Sequence, residues 1–449
     1  MGLFDRLRGD DAPRAAFFGI DGVPYSLIRD NPERFPNLTE MVENGAGGAI
    51  DSIVPPESSA CWPSLTSGVN PGQTGVYGFT DRENGSYDTY VPMARDVQAD
   101  RVWDRVEDAG RDATVMNVVT TFPPQQNVQR MVSGFLAPPE MDKIAQPPEF
   151  ADYLDSIGYR TDVNAKLGHQ EDKEEFIQDA HDTIDARQKA FKRYLEEDDW
   201  DLFFGVYMTT DRVNHFLFKD YEEDGEYKEE FLEFYEKVDR YLGEVQSMLP
   251  DDVTMLVASD HGFTSLDYEV HLNEWLRQEG WLSYEDEDHE ELADIADETK
   301  AYSFVPGRFY INLEDREPRG SVPEEEYETV RAELKEKLES LEGPDGNPVV
   351  ERVVEKESAF AGDHDEIAPD LVAIPNHGFD LKAGFKGDKD VFGTGPRNGM
   401  HSFGNATLIA DDSDVRIDGD VNLFDITPTI LKLMEMDFRA EEFDGRSLV

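Results

Sequence analysis

The sequence predicts an α/β protein: a doubly wound, mostly parallel sheet with helices on both faces, together with a small α+β insertion. The first observation is that short apolar runs alternate with longer helical patterns along most of the chain. Strands that alternate with helices in this way form parallel sheets that helices cover on both faces. The second observation is that three of the apolar runs are followed by an aspartate, at Asp21, Asp211 and Asp260. Ligands collect at the carboxyl ends of the strands in such sheets, so these positions predict a binding site.

Composition and periodicity place the individual elements. Apolar runs predict strands at 14–20, 48–54, 113–119, 202–208, 253–258, 369–374 and 406–410. Patterns with a period near 3.6 predict helices at 58–68, 100–109, 171–197, 226–248, 271–279, 324–341 and 423–434. The longest of these patterns repeats apolar residues from Phe176 to Tyr194 and turns most of its charges towards water.

The 449 residues allow one large α/β domain with an insertion. Residues 13–265 and 366–449 are predicted to form the catalytic domain, after an N-terminal tail at 1–12. Residues 266–365 are predicted to form a cap-like inserted subdomain, because 309–313, 324–341 and 349–355 repeat a strand–helix–strand pattern there. An insertion between two segments of a binding site is well placed to shape a substrate pocket.

The chain is strongly acidic, with 98 acidic and 42 basic residues and a net charge of −56. Its hydrophobic content of 39% is sufficient for a folded core, so disorder is disfavoured. A surface covered with carboxylates repels itself in dilute salt and is tolerated where salt screens it. We interpret the composition as a halophilic adaptation to a very salty cytoplasm. The same charge argues against binding to a nucleic acid backbone.

Cysteine usage and hydropathy bear on location. Cys61 is the only cysteine, so no intramolecular disulfide can form. No apolar stretch reaches the length of a transmembrane helix, and a cytoplasmic protein is expected. The sequence does not indicate an oligomeric state.

Six acidic and imidazole side chains are candidate metal ligands. Asp211 and His215 are four residues apart, so on a helix both face the same way. Asp260 and His261 are adjacent after an apolar run, Asp21 follows another, and His401 lies between Gly399 and Gly404. Clustered carboxylates repel one another unless cations neutralise them, and neutral imidazoles are ligands that such cations favour. The set is large enough to hold two metal ions.

A candidate nucleophile follows the second predicted strand. Pro55-Pro56 ends that strand, and Ser58 or Ser59 then begins a helix. The N-terminus of a helix attracts anions through its free N–H groups and its dipole. The alternative is that either serine is simply a helix N-cap.

The motifs, taken together and in this order, resemble the alkaline phosphatase superfamily, and specifically its type I phosphodiesterase/nucleotide pyrophosphatase family. The resemblance covers nearly the full chain. The segments that carry it include Gly19–Gly22, Gly68–Gly72, Asp211–His215, Ser259–Gly262, Gly399–Gly404, Asp425–Thr429 and Asp444–Leu448.

The resemblance selects one serine and implies an alkaline-phosphatase-like fold. The family's nucleophile lies ten residues before the glycine of a Thr-Gly or Ser-Gly pair, and counting back from Gly68 gives Ser58. Cys61 lies only seven residues before Gly68, and Leu65 stands where a sulfatase would carry arginine, so a sulfatase is disfavoured.

The resemblance also implies a ligand set and a reaction. Asp21, Ser58, Asp260 and His261 would surround one divalent metal ion, and Asp211, His215 and His401 the other. Zinc is expected, with manganese as the alternative. Attack by Ser58 would give a phosphoseryl intermediate that water then hydrolyses.

The expected substrate is a small phosphodiester or a nucleotide pyrophosphate. The alternatives are a phosphomonoesterase or phosphomutase of the same superfamily, or a noncatalytic cation-binding protein. Cys61 and Thr74 stand where relatives often carry asparagine and histidine, which leaves the substrate class open.

Overall fold

The computed structural model describes residues 12–197, 199–250, 252–387 and 389–449. Within them, eight strands form a main sheet. From one edge to the other its strands are Ala46–Ile50, Ala406–Ala410, Val253–Ala258, Arg14–Ile20, Leu202–Tyr207, Ala113–Met116, Arg130–Val132 and Ala145–Gln146. The pairings from Val253–Ala258 through Arg130–Val132 are parallel, and the outer pairings at both edges are antiparallel. The predicted doubly wound, mostly parallel sheet is therefore confirmed.

The central strand Arg14–Ile20 shows why the sequence reads as a continuous apolar run. Successive side chains of a strand point to opposite faces, so a strand covered on both faces needs apolar residues throughout. Phe17 stacks on Phe204 on one face, at 4.2 Å between ring centroids. Phe18 packs against Phe191 and Phe203 on the other. Both faces of the sheet are thus hydrophobic core.

The helices predicted from periodicity all form, with ends within a few residues of the predicted ones. The helices of the described residues are Tyr25–Asp30, Pro36–Asn44, Ser58–Ser67, Pro71–Thr74, Val102–Asp108, Met141–Ile144, Ala151–Ser156, Ala165–Gly168, Glu174–Glu197, Thr209–Glu222, Lys228–Met248, Leu272–Gln278, Tyr327–Glu339, Lys356–Ala359 and Ile426–Leu433.

A second hydrophobic core lies outside the main sheet. Its sheet has the strand order Ala301–Phe304, Arg308–Ile311, Leu371–Pro375 and Val350–Glu355, with antiparallel pairings. The helix Tyr327–Glu339 contributes Leu334 and Leu338 to this core. Except for Tyr87, all buried residues of the core lie between Val270 and Phe385 in the sequence. We call residues 270–385 the cap. Because Leu371–Pro375 belongs to the cap sheet, we propose that the inserted unit extends past residue 365 to about Phe385.

A further sheet links the cap to the main domain. Strand Gly262–His271 pairs with Gly378–Lys382 in parallel, and with Phe392–Gly393 and Gly399–Ser402 in antiparallel fashion. A short pair, Asp81–Arg82 with Thr89–Tyr90, lies apart from these sheets.

The predicted N-terminal tail, except for residue 12, lies outside the described residues. In the part of the chain that is described, no helix is long and apolar enough to cross a membrane.

Candidate metal centre and nucleophile

Three neighbouring parallel strands deliver most of the candidate ligands to one edge of the main sheet. Asp21 follows Arg14–Ile20, and the pair Asp260 and His261 follows Val253–Ala258. The strand Leu202–Tyr207 leads into helix Thr209–Glu222, whose first turns carry Asp211 and His215. Carboxyl ends of neighbouring parallel strands meet at one edge, so these side chains come together as expected.

His401 reaches the same place from a distant part of the chain. Its strand, Gly399–Ser402, pairs antiparallel with Gly262–His271, and His401 is the register partner of Phe263. The ring of His401 therefore stacks on that of His261, with ring centroids 3.8 Å apart. Gly399 permits this approach, because a Cβ there would lie 2.3 Å from the carbonyl oxygen of Asn214.

Ser58 is the first residue of helix Ser58–Ser67 and lies against the same cluster. Its Oγ is 3.3 Å from Oδ1 of Asp21 and 3.2 Å from Nε2 of His261. One turn further on, the indole Nε1 of Trp62 donates to Oδ2 of Asp21 at 2.7 Å. Ser59 is different, because its Oγ is buried and has no hydrogen-bond partner among the described residues.

The ring nitrogens of His215 and His401 have defined roles. Nδ1 of His215 faces the carbonyl oxygen of Gly399 at 3.1 Å, and Nδ1 of His401 faces that of Pro56 at 3.0 Å. A carbonyl oxygen only accepts hydrogen bonds, so in the neutral rings each Nδ1 carries the proton and each Nε2 presents a lone pair. The two Nε2 atoms are 3.1 Å apart, and both lie within 3.3 Å of Oδ1 of Asp211. Three acceptors thus converge with no donor between them, which is the arrangement a metal cation requires.

A second group of acceptors lies beside the first. Nε2 of His261 is 3.7 Å from Oδ1 of Asp21 and 3.5 Å from Oδ2 of Asp260. The Nδ1 of His261 faces the carbonyl oxygen of Gly262 at 3.0 Å, which again leaves Nε2 as the acceptor. His261 lies close enough to both groups to serve either, since its ligand atoms come within 4.8 Å of those of Asp211 and His401 as well.

Two carboxylate oxygens at the centre of the cluster are orphaned. Oδ1 of Asp211 and Oδ2 of Asp260 are buried, and neither has a hydrogen-bond partner among the described residues. A buried, unpaired carboxylate is expensive, so a native structure keeps one only where a partner such as a metal binds it. The carboxylate and imidazole ligands of the site therefore fit divalent cations.

Burial is the main cause of four pKa shifts in the cluster, whereas at Asp211 the neighbouring His215, Arg212 and His401 outweigh burial and hold the pKa well below its usual range. Burial raises the pKa of Asp21 well above its usual range, and the charges of Asp260 and Asp211 add to this. Burial also raises the pKa of Asp260 to about 6. Burial lowers the pKa of His215 and of His261, so both imidazoles stay neutral and able to bind a metal. A cation among the carboxylates would favour their ionised forms and oppose the raised pKa values.

A cavity of about 650 Å³ lies between this cluster and the cap. Ser58, Asp211, His215 and His401 line one side of it, and cap residues that include Phe304, Arg308 and Leu381 line the other. A molecule bound at Ser58 would therefore contact the cap.

Three residues with contacts at or beside the site were not found by sequence reasoning. Arg212 follows Asp211 directly, and this adjacency is the only feature of the sequence that points to a role for Arg212. Trp62 and Arg308 carry no signal in the sequence, because their roles depend on a turn of helix and on a cap strand that fold beside the site.

Comparisons with known proteins identify the family and the fold. The family model for type I phosphodiesterase/nucleotide pyrophosphatase matches residues 15–403. No curated protein sequence matches the chain significantly.

Solved structures match over nearly the full length of both chains. Phosphonoacetate hydrolase from Sinorhizobium meliloti, in complex with phosphonoformate, has a TM-score of 0.61 at 16% identity, with 94% of this chain and 96% of that chain covered. Murine ectonucleotide pyrophosphatase/phosphodiesterase 5 has a TM-score of 0.55 at 13% identity, covering 96% and 97%. The alkaline phosphatase PafA has a TM-score of 0.59 at 12% identity, covering 97% and 98%. At such identities these likenesses concern the fold.

Proposed function

Because the chain belongs to the type I phosphodiesterase/nucleotide pyrophosphatase family, a group of phosphoric ester hydrolases in the alkaline phosphatase superfamily, we propose that it hydrolyses phosphodiester or nucleotide pyrophosphate bonds through Ser58. The observation that carries the proposal is the position of the Ser58 hydroxyl. It lies within 3.3 Å of both Asp21 and His261, at a helix N-terminus that opens on the cavity.

Two groups of residues would hold the metal ions. Asp21, Ser58, Asp260 and His261 are assigned to one ion, and Asp211, His215 and His401 to the other, with zinc expected and manganese as the alternative. Divalent cations in such sites lower the pKa of a serine hydroxyl and neutralise charge on a phosphoryl group. The orphaned oxygens of Asp211 and Asp260 support this assignment.

The chemistry at Ser58 proceeds in two displacements. In the first, Oγ loses its proton to water in the cavity and forms a bond to phosphorus, while the bond from phosphorus to the leaving oxygen breaks and that oxygen departs with the electron pair. Ser58 is the first residue of helix Ser58–Ser67, and the N-terminus of a helix stabilises an anion through its dipole and N–H groups. In the second displacement, water loses a proton and bonds to phosphorus, the bond from phosphorus to Oγ breaks, and Oγ takes up a proton, which restores the serine.

The cavity supports a substrate of nucleotide size. Its volume of about 650 Å³ lies in the range of small-molecule sites, and Phe304 and Leu381 give its cap side apolar surface. A phosphomonoesterase or phosphomutase would use the same serine, so the leaving group distinguishes these alternatives.

A hydrolysis screen tests the proposal. The purified protein, in molar salt with zinc or manganese, is given an aryl phosphodiester, a dinucleotide pyrophosphate and an aryl phosphomonoester. We expect turnover of the first two above that of the third. Turnover of the monoester alone would favour a phosphomonoesterase. No turnover of any of the three, by metal-loaded folded protein, would favour a noncatalytic cation-binding protein.

A further inference from the structure

The guanidinium group of Arg212 is held in a fixed orientation beside the proposed metal site. Its Nε donates to Oδ2 of Asp162 at 2.9 Å, and its Nη1 donates to Oδ2 of Asp211 at 3.3 Å. The group also lies over the ring of Phe135, 4.5 Å from the centroid. Only 12% of the Arg212 side chain is exposed, so these contacts leave it little freedom.

One edge of this guanidinium is unused. Nη2 has no hydrogen-bond partner among the described residues, and it is accessible to solvent. Arg212 lines the same cavity as Ser58, Asp211, His215 and His401. Because Nε and Nη1 are held by carboxylates while Nη2 is free, Arg212 can donate to an anion in that cavity without changing its orientation.

Arg308, which lines the cavity from the cap, provides the contrast. Its Nε donates to the carbonyl oxygen of Val305, its Nη1 to Asp81 and its Nη2 to the carbonyl oxygen of Thr80. All three of its nitrogens are therefore occupied by the protein. Of these two arginines, only Arg212 has a nitrogen left for a ligand.

We propose that Nη2 of Arg212 donates to a non-bridging oxygen of the phosphoryl group that Ser58 attacks, which makes Arg212 a catalytic residue. This inference rests on the proposed function. Arginine matches phosphate geometry and keeps its charge at every working pH. A donor fixed in advance in a partly buried site stabilises the charge of the transition state without reorganising. Because Nη1 holds Oδ2 of Asp211, the orphaned Oδ1 stays turned towards His215 and His401.

A rival role is that Arg212 acts only by positioning Asp211. The two roles differ in what happens when the guanidinium is removed and then resupplied. A phosphate-binding role predicts that Arg212→Ala and Arg212→Gln keep their zinc but lose about 10²–10³-fold in kcat/KM. It also predicts that added methylguanidine restores part of the activity of Arg212→Ala, and that Arg212→Lys falls between wild type and Ala.

Substrate charge gives a second distinction. A phosphomonoester presents a dianion at the reacting phosphorus, whereas a phosphodiester presents a monoanion. Loss of a cation that touches these oxygens should therefore reduce kcat/KM more for an aryl monoester than for the matching aryl diester. An equal reduction for both esters would contradict direct contact between Arg212 and these oxygens.

The experiment compares wild type, the Arg212 variants and Arg29→Gln, all as zinc-loaded proteins in molar salt. Arg29 does not line the cavity, and its side chain is 60% exposed and pairs with Asp30, so Arg29→Gln controls for loss of a cation away from the site and should retain activity. Zinc content and melting temperature are measured for each protein. Activity of Arg212→Gln within threefold of wild type would overturn the proposal, and so would loss of zinc in step with activity without rescue by methylguanidine.

A binding measurement keeps this test separate from the proposed function. If wild type turns over neither ester, the proposed function fails, and calorimetry with inorganic phosphate still tests Arg212. We expect phosphate to bind zinc-loaded wild type at least tenfold more tightly than Arg212→Gln. Equal affinity would overturn the phosphate-binding role.

Discussion

At the scale of single residues, the site depends on which nitrogen of each histidine carries the proton. In His215, His261 and His401 the Nδ1 atom faces a backbone carbonyl oxygen, which leaves Nε2 to the metal side. These backbone contacts fix the tautomers without any further acidic side chain.

The seven side chains selected from the sequence converge, although they span residues 21 to 401. Asp21, Asp211 and Asp260 could be found from the sequence because each follows an apolar run of a predicted parallel sheet. Their roles as ligands and nucleophile stay predictions. Trp62 and the free edge of Arg212 could not be found, because each depends on contacts that form only in the folded chain.

The first prediction concerns the two serines. Ser58→Ala removes the attacking oxygen but leaves the Asp and His ligands, so metal should still bind while turnover falls by several orders of magnitude. Ser59→Ala is the matched control, since its sealed hydroxyl makes no hydrogen bond to any described residue. Turnover and metal content of both variants check this. Near-normal turnover of Ser58→Ala, or a larger loss in Ser59→Ala, would mean that the nucleophile is misassigned.

The second prediction concerns Trp62. Trp62→Phe removes the N–H that orients Asp21 and should reduce metal affinity or activity by about 10–100-fold. Trp103→Phe is a control, because Trp103 also packs on Phe204 but donates to Gln125 instead. Zinc affinity measured by competition with a chelator should separate the two. Equal losses in both variants would attribute the effect to packing alone.

At the scale of secondary-structure elements, a buried salt bridge links the cap to the main domain. Arg308, on the cap strand Arg308–Ile311, pairs with Asp81 on the strand Asp81–Arg82, and both side chains are at most 2% exposed. The contact brings the cap strand to the segment that follows the nucleophile helix. The cap thereby acquires a fixed position over the cavity.

The elements differ in how far the sequence predicts them. Long amphipathic helices such as Glu174–Glu197 and apolar central strands have strong periodicity, and their predictions are confirmed. The strands Gly262–His271, Gly378–Lys382 and Gly399–Ser402 were not predicted, because they are partly polar and contain or border glycines. Pairing between distant segments stabilises them, and no local pattern reports such pairing.

The third prediction concerns this ion pair. Arg308→Met leaves the buried Asp81 without its cation and should reduce the free energy of unfolding by about 3–5 kcal/mol. Arg29→Met is the control, since the Arg29 side chain is 60% exposed and its pair with Asp30 lies at the surface. Urea denaturation in molar salt measures both. A loss for Arg308→Met no larger than that for Arg29→Met would contradict a stabilising role for the buried pair.

At the scale of the whole molecule, charge and fold act separately. The apolar strands and the apolar faces of the helices form the core, whereas most of the 98 acidic residues are not buried. The proposed halophilic adaptation and the cytoplasmic location both stay predictions.

The fourth prediction tests the acidic surface. Removal of salt lengthens the Debye length from about 3 Å at 1 M to about 10 Å at 0.1 M, so repulsion among the carboxylates should grow. The melting temperature should therefore fall as potassium chloride is lowered from molar to low concentration. A melting temperature that stays flat or rises over this range would contradict the halophilic interpretation.

The stereochemical course at phosphorus tests the central claim most directly. A phosphodiester analogue that is chiral through one sulfur atom is hydrolysed by the metal-loaded protein in water enriched in a heavy oxygen isotope, so that the two free oxygens of the product differ and its configuration can be determined. Each in-line displacement inverts phosphorus, so attack by Ser58 followed by attack by water predicts net retention. Net inversion would show that water attacks directly, and it would contradict the role of Ser58 as nucleophile.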